Sequence, residues 1–145
     1  MGIRVGIDIG TVSAKLAAVG PAERVEALAT GDGSPLGQIF PNPNEPDEAI
    51  ALSRYVRIQG RPLEAASRLL DELLERVDPN EISGVMATGS AGKLVGKALG
   101  IPFENEFKTA AAAVGTLHPD AENIFEMGGE NSKYIKLSTD GGAIG

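Results

Sequence analysis

The sequence predicts an α/β fold. Its core is a mixed five-stranded sheet, the first three strands an antiparallel meander and the rest alternating with flanking helices, and a second unit begins behind it. Three observations predict this. Ile3, Val5, Ile7 and Ile9 alternate with Arg4, Gly6 and Asp8, the period of a half-buried strand. Leu63, Ala66, Leu69, Leu70, Leu73, Leu74 and Val77 recur at helical spacing behind Pro62, a residue suited to the first helical position. The pattern acid-x-Gly-x-x-x-x-Lys occurs twice, as Asp8, Gly10 and Lys15 and as Glu126, Gly128 and Lys133, each time between two apolar runs.

In chain order, strands are expected at 3–9 and 14–20, joined as a hairpin. Pro21-Ala22 reads as a turn, and 24–30 as a third strand antiparallel to the second. Residues 31–48 carry Gly31, Gly33, Pro35, Gly37, Pro41, Pro43 and Pro46 and read as a long loop, mobile or functional. The stretch 49–58 is ambiguous, with Tyr55 to Ile58 favouring a short extended segment. The helix from Pro62 ends at Asp78-Pro79. Residues 82–88 read as a strand, Ser90 as the N-cap of a helix closing at Gly100, and 101–103 as a short strand. The stretch Ala87 to Leu94 resembles a P-loop at a glance, but Ala87 stands at the first glycine and Leu94 at the Ser/Thr position. A strand-to-helix turn fits better, and that helix end can still favour an anion. Asn105 caps a helix over 106–117, whose alanines 110–113 suit close packing. His118, the single histidine, reads as a helix-end or surface residue. Strands at 122–127 and 134–137 follow, and Ser138 to Gly142 reads as a hairpin turn just before the sequence stops. The sequence therefore reads as a piece of a longer protein.

The two hairpins carry the chemistry. Asp8 falls near the carboxyl end of the first strand, on the face opposite the isoleucines. Gly10 permits a tight turn, Thr11 and Ser13 offer hydroxyls, and Lys15 opens the returning strand. Turn N–H groups and a lysine suit a phosphate, and a carboxylate suits its Mg²⁺ or the waters around that ion. A plain hairpin explains this stretch alone equally well. The second copy, Glu126 to Lys133, suggests a duplicated phosphate site with one hairpin on each side of a nucleotide. Glu106 lies in the first turn of its helix, where a carboxylate favours the helix dipole. Simple capping and a second acid facing Mg²⁺ or an attacking water are both open.

Composition narrows the classes. With 145 residues the chain is one ordinary domain's worth and can bury roughly 70% of its unfolded surface. The net charge of −7 argues against nucleic acid, whose backbone needs clustered Lys and Arg. There is no cysteine, so neither a disulfide nor a thiolate metal site lies within these residues. No run approaches ~18 apolar residues, which argues against a membrane partner and for a cytoplasmic protein.

The order of elements resembles the superfamily of acetate and sugar kinases, heat-shock chaperone ATPases and actin. Its ribonuclease H-like lobes face each other across ATP, each giving one phosphate hairpin. On that resemblance residues 1–120 are a first lobe and 121–145 the beginning of a second. Asn105-Glu106 opening an alanine-rich helix resembles the superfamily's third helix. Within it, the chain resembles the ATPase activators of 2-hydroxyacyl-CoA dehydratases and benzoyl-CoA reductases. Gly6-Ile7-Asp8-Ile9-Gly10-Thr11-Val12-Ser13-Ala14-Lys15 is similar to their first motif. Thr88-Gly89, Leu94-Val95-Gly96 and Ala98-Leu99-Gly100 are similar to their middle strand and helix, and Phe125-Glu126-Met127-Gly128-Gly129-Glu130-Asn131-Ser132-Lys133 to their second motif.

The resemblance implies that Asp8 binds Mg²⁺ through water and that Gly10, Thr11 and Lys15 contact phosphates. Glu126 takes the second acidic, metal-side position, with Gly128, Gly129 and Ser132 near the γ-phosphate. Asp8, Glu106 and Glu126 would then be the catalytic carboxylates. Glu126 stands where the family has Asp, and Glu130-Asn131 where it has Gln-Asp. The family couples ATP hydrolysis to low-potential electron delivery. This implies ATP or ADP and Mg²⁺ as ligands, a dehydratase or reductase partner, and a homodimeric parent. It also implies a [4Fe–4S] cluster on cysteines beyond the second hairpin, and negligible hydrolysis by these residues alone. A sugar or small-molecule kinase lobe and a non-catalytic assembly module are the alternatives. A kinase needs an acceptor base, and no Asp or Glu of 31–60 stands out. Intact Asp8, Gly10 and Thr11 argue against the assembly module.

Overall fold

The computed structural model describes residues 2–137 and the backbone of 143–144. The turn expected over 138–142 lies outside the described residues. The chain runs through β1 (Ile3–Ile9), β2 (Ser13–Pro21), α1 (Ala22–Ala29), β3 (Leu36–Pro41), β4 (Glu48–Ser53), β5 (Val56–Arg57), α2 (Pro62–Leu74), β6 (Ile82–Thr88), α3 (Gly92–Leu99), α4 (Glu106–Leu117), β7 (Asn123–Met127), β8 (Ser132–Leu137) and β9 (Ala143–Ile144).

The larger sheet has the order β3-β4-β2-β1-β6, with β5 paired to β2. β1 is its axis because alternation buries Ile3, Val5, Ile7 and Ile9 on one face and turns Asp8 to the other. β2 pairs with it antiparallel and β6 parallel, so Asp8 has Lys15 on one side and Thr88 on the other. The parallel pairing needs a crossover, and α2 is its helix. Ala65, Ala66, Leu69 and Leu73 of α2 are buried in the core with the isoleucines of β1, each large side chain contributing about 1.5–3 kcal/mol of apolar burial. α3 ends at Gly100 in the left-handed conformation, φ 69°, as a C-terminal cap requires.

Four details differ from the expectation. Residues 24–30 do not form a strand: they belong to α1, which buries Val25 and Leu28, three apart on one helical face. The third strand of the meander is instead β4, antiparallel to β2. The expected loop 31–48 contains β3, which makes the sheet six-stranded. β3 has β4 as its one neighbour, and a sheet edge tolerates Gly37 and Pro41. Ser90 is not the N-cap of α3; Ala91 holds that position, and its N–H is bound by the Ile9 carbonyl at 2.9 Å. The short strand at 101–103 reduces to one parallel bridge, Ala87 to Phe103.

The smaller sheet has the order β7-β8-β9. α4 starts as expected, with Asn105 Oδ1 accepting from the Phe107 N–H at 2.7 Å. Its Ala111 packs with Ile135 and Leu137 of β8 in a second hydrophobic cluster, flanked by Ala110, Val114 and Ile124. Small alanine side chains let the helix approach the strands closely. No helix of the described residues is long and apolar enough to cross a membrane.

Candidate functional site

The spacing repeated in the sequence becomes the same ladder twice. In the β1–β2 turn the Gly10 N–H donates to the Ser13 carbonyl at 3.0 Å, Ile9 faces Ala14, and Asp8 faces Lys15. In the β7–β8 turn the Gly128 N–H donates to the Asn131 carbonyl at 2.7 Å, Met127 faces Ser132, and Glu126 faces Lys133. Each hairpin therefore presents an acid and a lysine side by side at the mouth of a glycine turn. Lys15 Nζ lies 3.9 Å from Asp8 Oδ2 and 5.0 Å over the ring of Tyr55. Lys133 Nζ lies 3.0 Å from Glu126 Oε2 and 3.2 Å from Oε1 of Glu106, the first residue of α4.

The two turns meet. A Cβ on Gly129 would run into the Val12 side chain, so glycine there lets the second hairpin touch the first. Between them opens a cleft of about 580 Å³. Asp8, Gly10, Thr11, Lys15, Glu106, Glu126, Gly128 and Gly129 all line it. Ser132 is the one candidate outside: it is exposed opposite Met127 and does not line the cleft.

Several lining residues were not singled out from the sequence. Thr88 and Thr109 join β6 to α4 through hydroxyls 3.1 Å apart. Tyr55 comes from the stretch between β4 and β5, while Lys133, which the repeated spacing had marked, lines the cleft as well. Gly89, between the lining residues Thr88 and Ser90, packs against Asp8: with φ 95° it sits where a Cβ would collide with the Ile9 carbonyl and with Asp8 Oδ1. Its position after a strand and before a helix was the available signal. Lys133 was legible as the counterpart of Lys15.

The electrostatics are those of a site short of positive charge. The Asp8 carboxyl is raised above its ordinary value, chiefly by burial; Lys15 opposes this, and the Glu106 and Glu126 carboxylates add to it. The Lys133 ammonium is raised, first by its bond to Glu126, against burial and with help from Glu106. Hard carboxylate oxygens suit Mg²⁺. Among the described residues no group of three or more His, Cys, Asp or Glu side chains is placed to enclose an ion. Mg²⁺ beside a phosphate keeps several waters and needs one or two carboxylates, and Asp8 and Glu126 line the cleft. The chain has no cysteine, so its residues do not fit an iron–sulfur cluster.

No protein-family model matches the chain, and no curated protein matches it. Solved structures do match. The component A of (R)-2-hydroxyglutaryl-CoA dehydratase from Acidaminococcus fermentans aligns with 100% of this chain and 46% of its own, at TM-score 0.64 and 15% identity. The activator of 2-hydroxyisocaproyl-CoA dehydratase from Clostridium difficile, with bound ADPNP, aligns with 99% of this chain and 44% of its own, at TM-score 0.63 and 18% identity. A Ppx/GppA phosphatase from Aquifex aeolicus aligns with 100% of this chain and 51% of its own, at TM-score 0.54 and 14% identity. At these identities the likeness establishes the fold alone, the mixed α/β arrangement that these structures share with this chain. The chain spans about half the length of the structures it matches.

Proposed function

We propose that the chain is the phosphate-binding part of an ATPase of the dehydratase-activator kind, with residues 1–120 as the first lobe and 121–145 opening the second. One observation carries this: two hairpins of identical acid–glycine–lysine register, in contact at their tips, face one cleft. The separate sheets and separate hydrophobic clusters support the division, although α4 shares its cluster with the second sheet.

The N–H groups and side chains of the two turns, with Lys15, hold the polyphosphate tail. Asp8 and Glu126 would hold Mg²⁺ through its waters, and the ion would supply charge to neutralise the phosphates. Glu106 accepts a proton from the attacking water as its oxygen bonds the γ-phosphorus and the bond to the β–γ bridging oxygen breaks, giving ADP and phosphate. Catalysis of this kind is mainly positioning and charge stabilisation. Of residues 31–60, only Tyr55 lines the cleft and no carboxylate does, which favours water over a hydroxyl acceptor and so an ATPase over a kinase. The fold shared with two dehydratase activators supports the finer reading. In it, hydrolysis in a homodimeric, cytoplasmic parent drives low-potential electron transfer to a 2-hydroxyacyl-CoA dehydratase or benzoyl-CoA reductase, any [4Fe–4S] cluster lying on residues outside this chain.

Calorimetry with ADPNP tests the site. Binding to the 145-residue chain is expected to be weak, Mg²⁺-dependent and lost in both Asp8→Asn and Glu126→Gln. Equal binding by these variants, or brisk ATP turnover by the chain alone, contradicts the reading.

A further inference from the structure

The shared register gives each hairpin a lysine, yet the two ammonium groups live differently. Lys15 has one carboxylate partner, Asp8 Oδ2 at 3.9 Å, beyond hydrogen-bond distance, and the face of the Tyr55 ring at 5.0 Å, and its side chain is 43% exposed. Lys133 has two partners, at 3.0 and 3.2 Å, and its side chain is 19% exposed. Those partners come from different elements, Glu126 from β7 and Glu106 from the start of α4. Each gives one oxygen, Oε2 of Glu126 and Oε1 of Glu106, and among the described residues neither second oxygen has a hydrogen-bond donor.

We propose that Lys133 is a positioning residue and not a phosphate ligand: it gathers one oxygen of Glu106 and one of Glu126 onto its ammonium, leaves their other oxygens free to accept from water in the cleft, and leaves Lys15 as the ammonium that meets the polyphosphate. This rests on the polyphosphate reading above. Lys133 holds Glu126 by a charge-assisted hydrogen bond and Glu106 by a close ion pair, and withdrawing it toward a phosphate would leave two carboxylates unpaired beside Asp8. Lys15 gives up a long ion pair and a contact with the Tyr55 ring, both of small worth at an exposed site. Equivalent positions in a duplicated motif have thus taken separate tasks.

Amine acylation read by mass spectrometry on the 145-residue protein tests this, with Mg²⁺ and tripolyphosphate as the probe. In the free protein Lys15 is expected to react several-fold faster than Lys133. The probe should slow Lys15 several-fold and leave Lys133 unchanged, and Glu106→Ala should speed Lys133 without touching Lys15. Carboxyl ¹³C resonances give a readout that general packing would not move: those of Glu106 and Glu126 should both shift in Lys133→Gln and return in Lys133→Arg. Equal protection of both lysines, an unchanged Lys133 rate in Glu106→Ala, or unmoved carboxyl resonances would overturn the proposal. Protection of neither lysine would instead overturn the polyphosphate reading and Lys15's share. The Glu106→Ala and carboxyl results would then still decide the role of Lys133.

Discussion

Gly129→Ala probes the junction of the two hairpins with one added carbon. Gly129 needs no left-handed backbone, so the substitution acts through space alone. The new Cβ would lie 3.0 Å from Val12 Cβ and closer still to Val12 Cγ2. Overpacking of this kind costs about 1–3 kcal/mol. Val12 is 40% exposed and can swing outward, which puts the cost at about 1–2 kcal/mol. Against this, losing a glycine removes freedom from the unfolded chain and returns about 0.4–1 kcal/mol. The net loss is then at most about 1.6 kcal/mol, a fall in Tm of up to about 5 °C for a chain of this size. The sharper quantity is the coupling. In a Val12→Ala background both Cγ atoms are gone, and the penalty of Gly129→Ala should shrink by about 1 kcal/mol. Thermal denaturation of the wild type, both single variants and the double variant reads this directly. Strict additivity would show that the turns do not touch and would refute the clasped arrangement.

Two further outcomes follow from the site's charge and backbone. Asp8 has a folded-state pKa above its ordinary 3.8, so between those two values the folded state binds the proton more tightly and stability falls as pH rises. Asp8→Asn should therefore raise Tm near neutrality, with the gain vanishing as pH drops toward 3.8, and should abolish any stabilisation by Mg²⁺; a pH series of melts with and without Mg²⁺ checks both. Gly89→Ala combines a φ of 95° with a collision against the Ile9 carbonyl and should cost about 3 kcal/mol or more in urea unfolding, whereas an unchanged midpoint would mean that the β6–α3 turn is not built as described.

The sequence was most legible where one period ruled. β1 and α2 each follow a single unbroken pattern, and their positions were foreseen. Residues 24–30 obey two at once: Val25, Ala27 and Ala29 alternate as in a strand, while Val25 and Leu28 share a helical face, and packing decided for the helix. β3 was hidden by Gly37 and Pro41, which only its edge position tolerates. In the site, the acid–lysine pairs were readable because a fixed spacing across a tight turn fixes the register. The meeting of Gly129 with Val12, the Thr88–Thr109 link and the hold of Glu106 on Lys133 join residues far apart in sequence, and no local pattern encodes them.

The central claim is that both hairpins grip one polyphosphate. Amide NMR of the chain titrated with Mg²⁺ and tripolyphosphate tests it most directly. The N–H signals of Gly10 and Thr11 on one turn, and of Gly128 and Gly129 on the other, are predicted to move together along curves sharing one dissociation constant. Movement of one turn alone, or two unrelated constants, would contradict it.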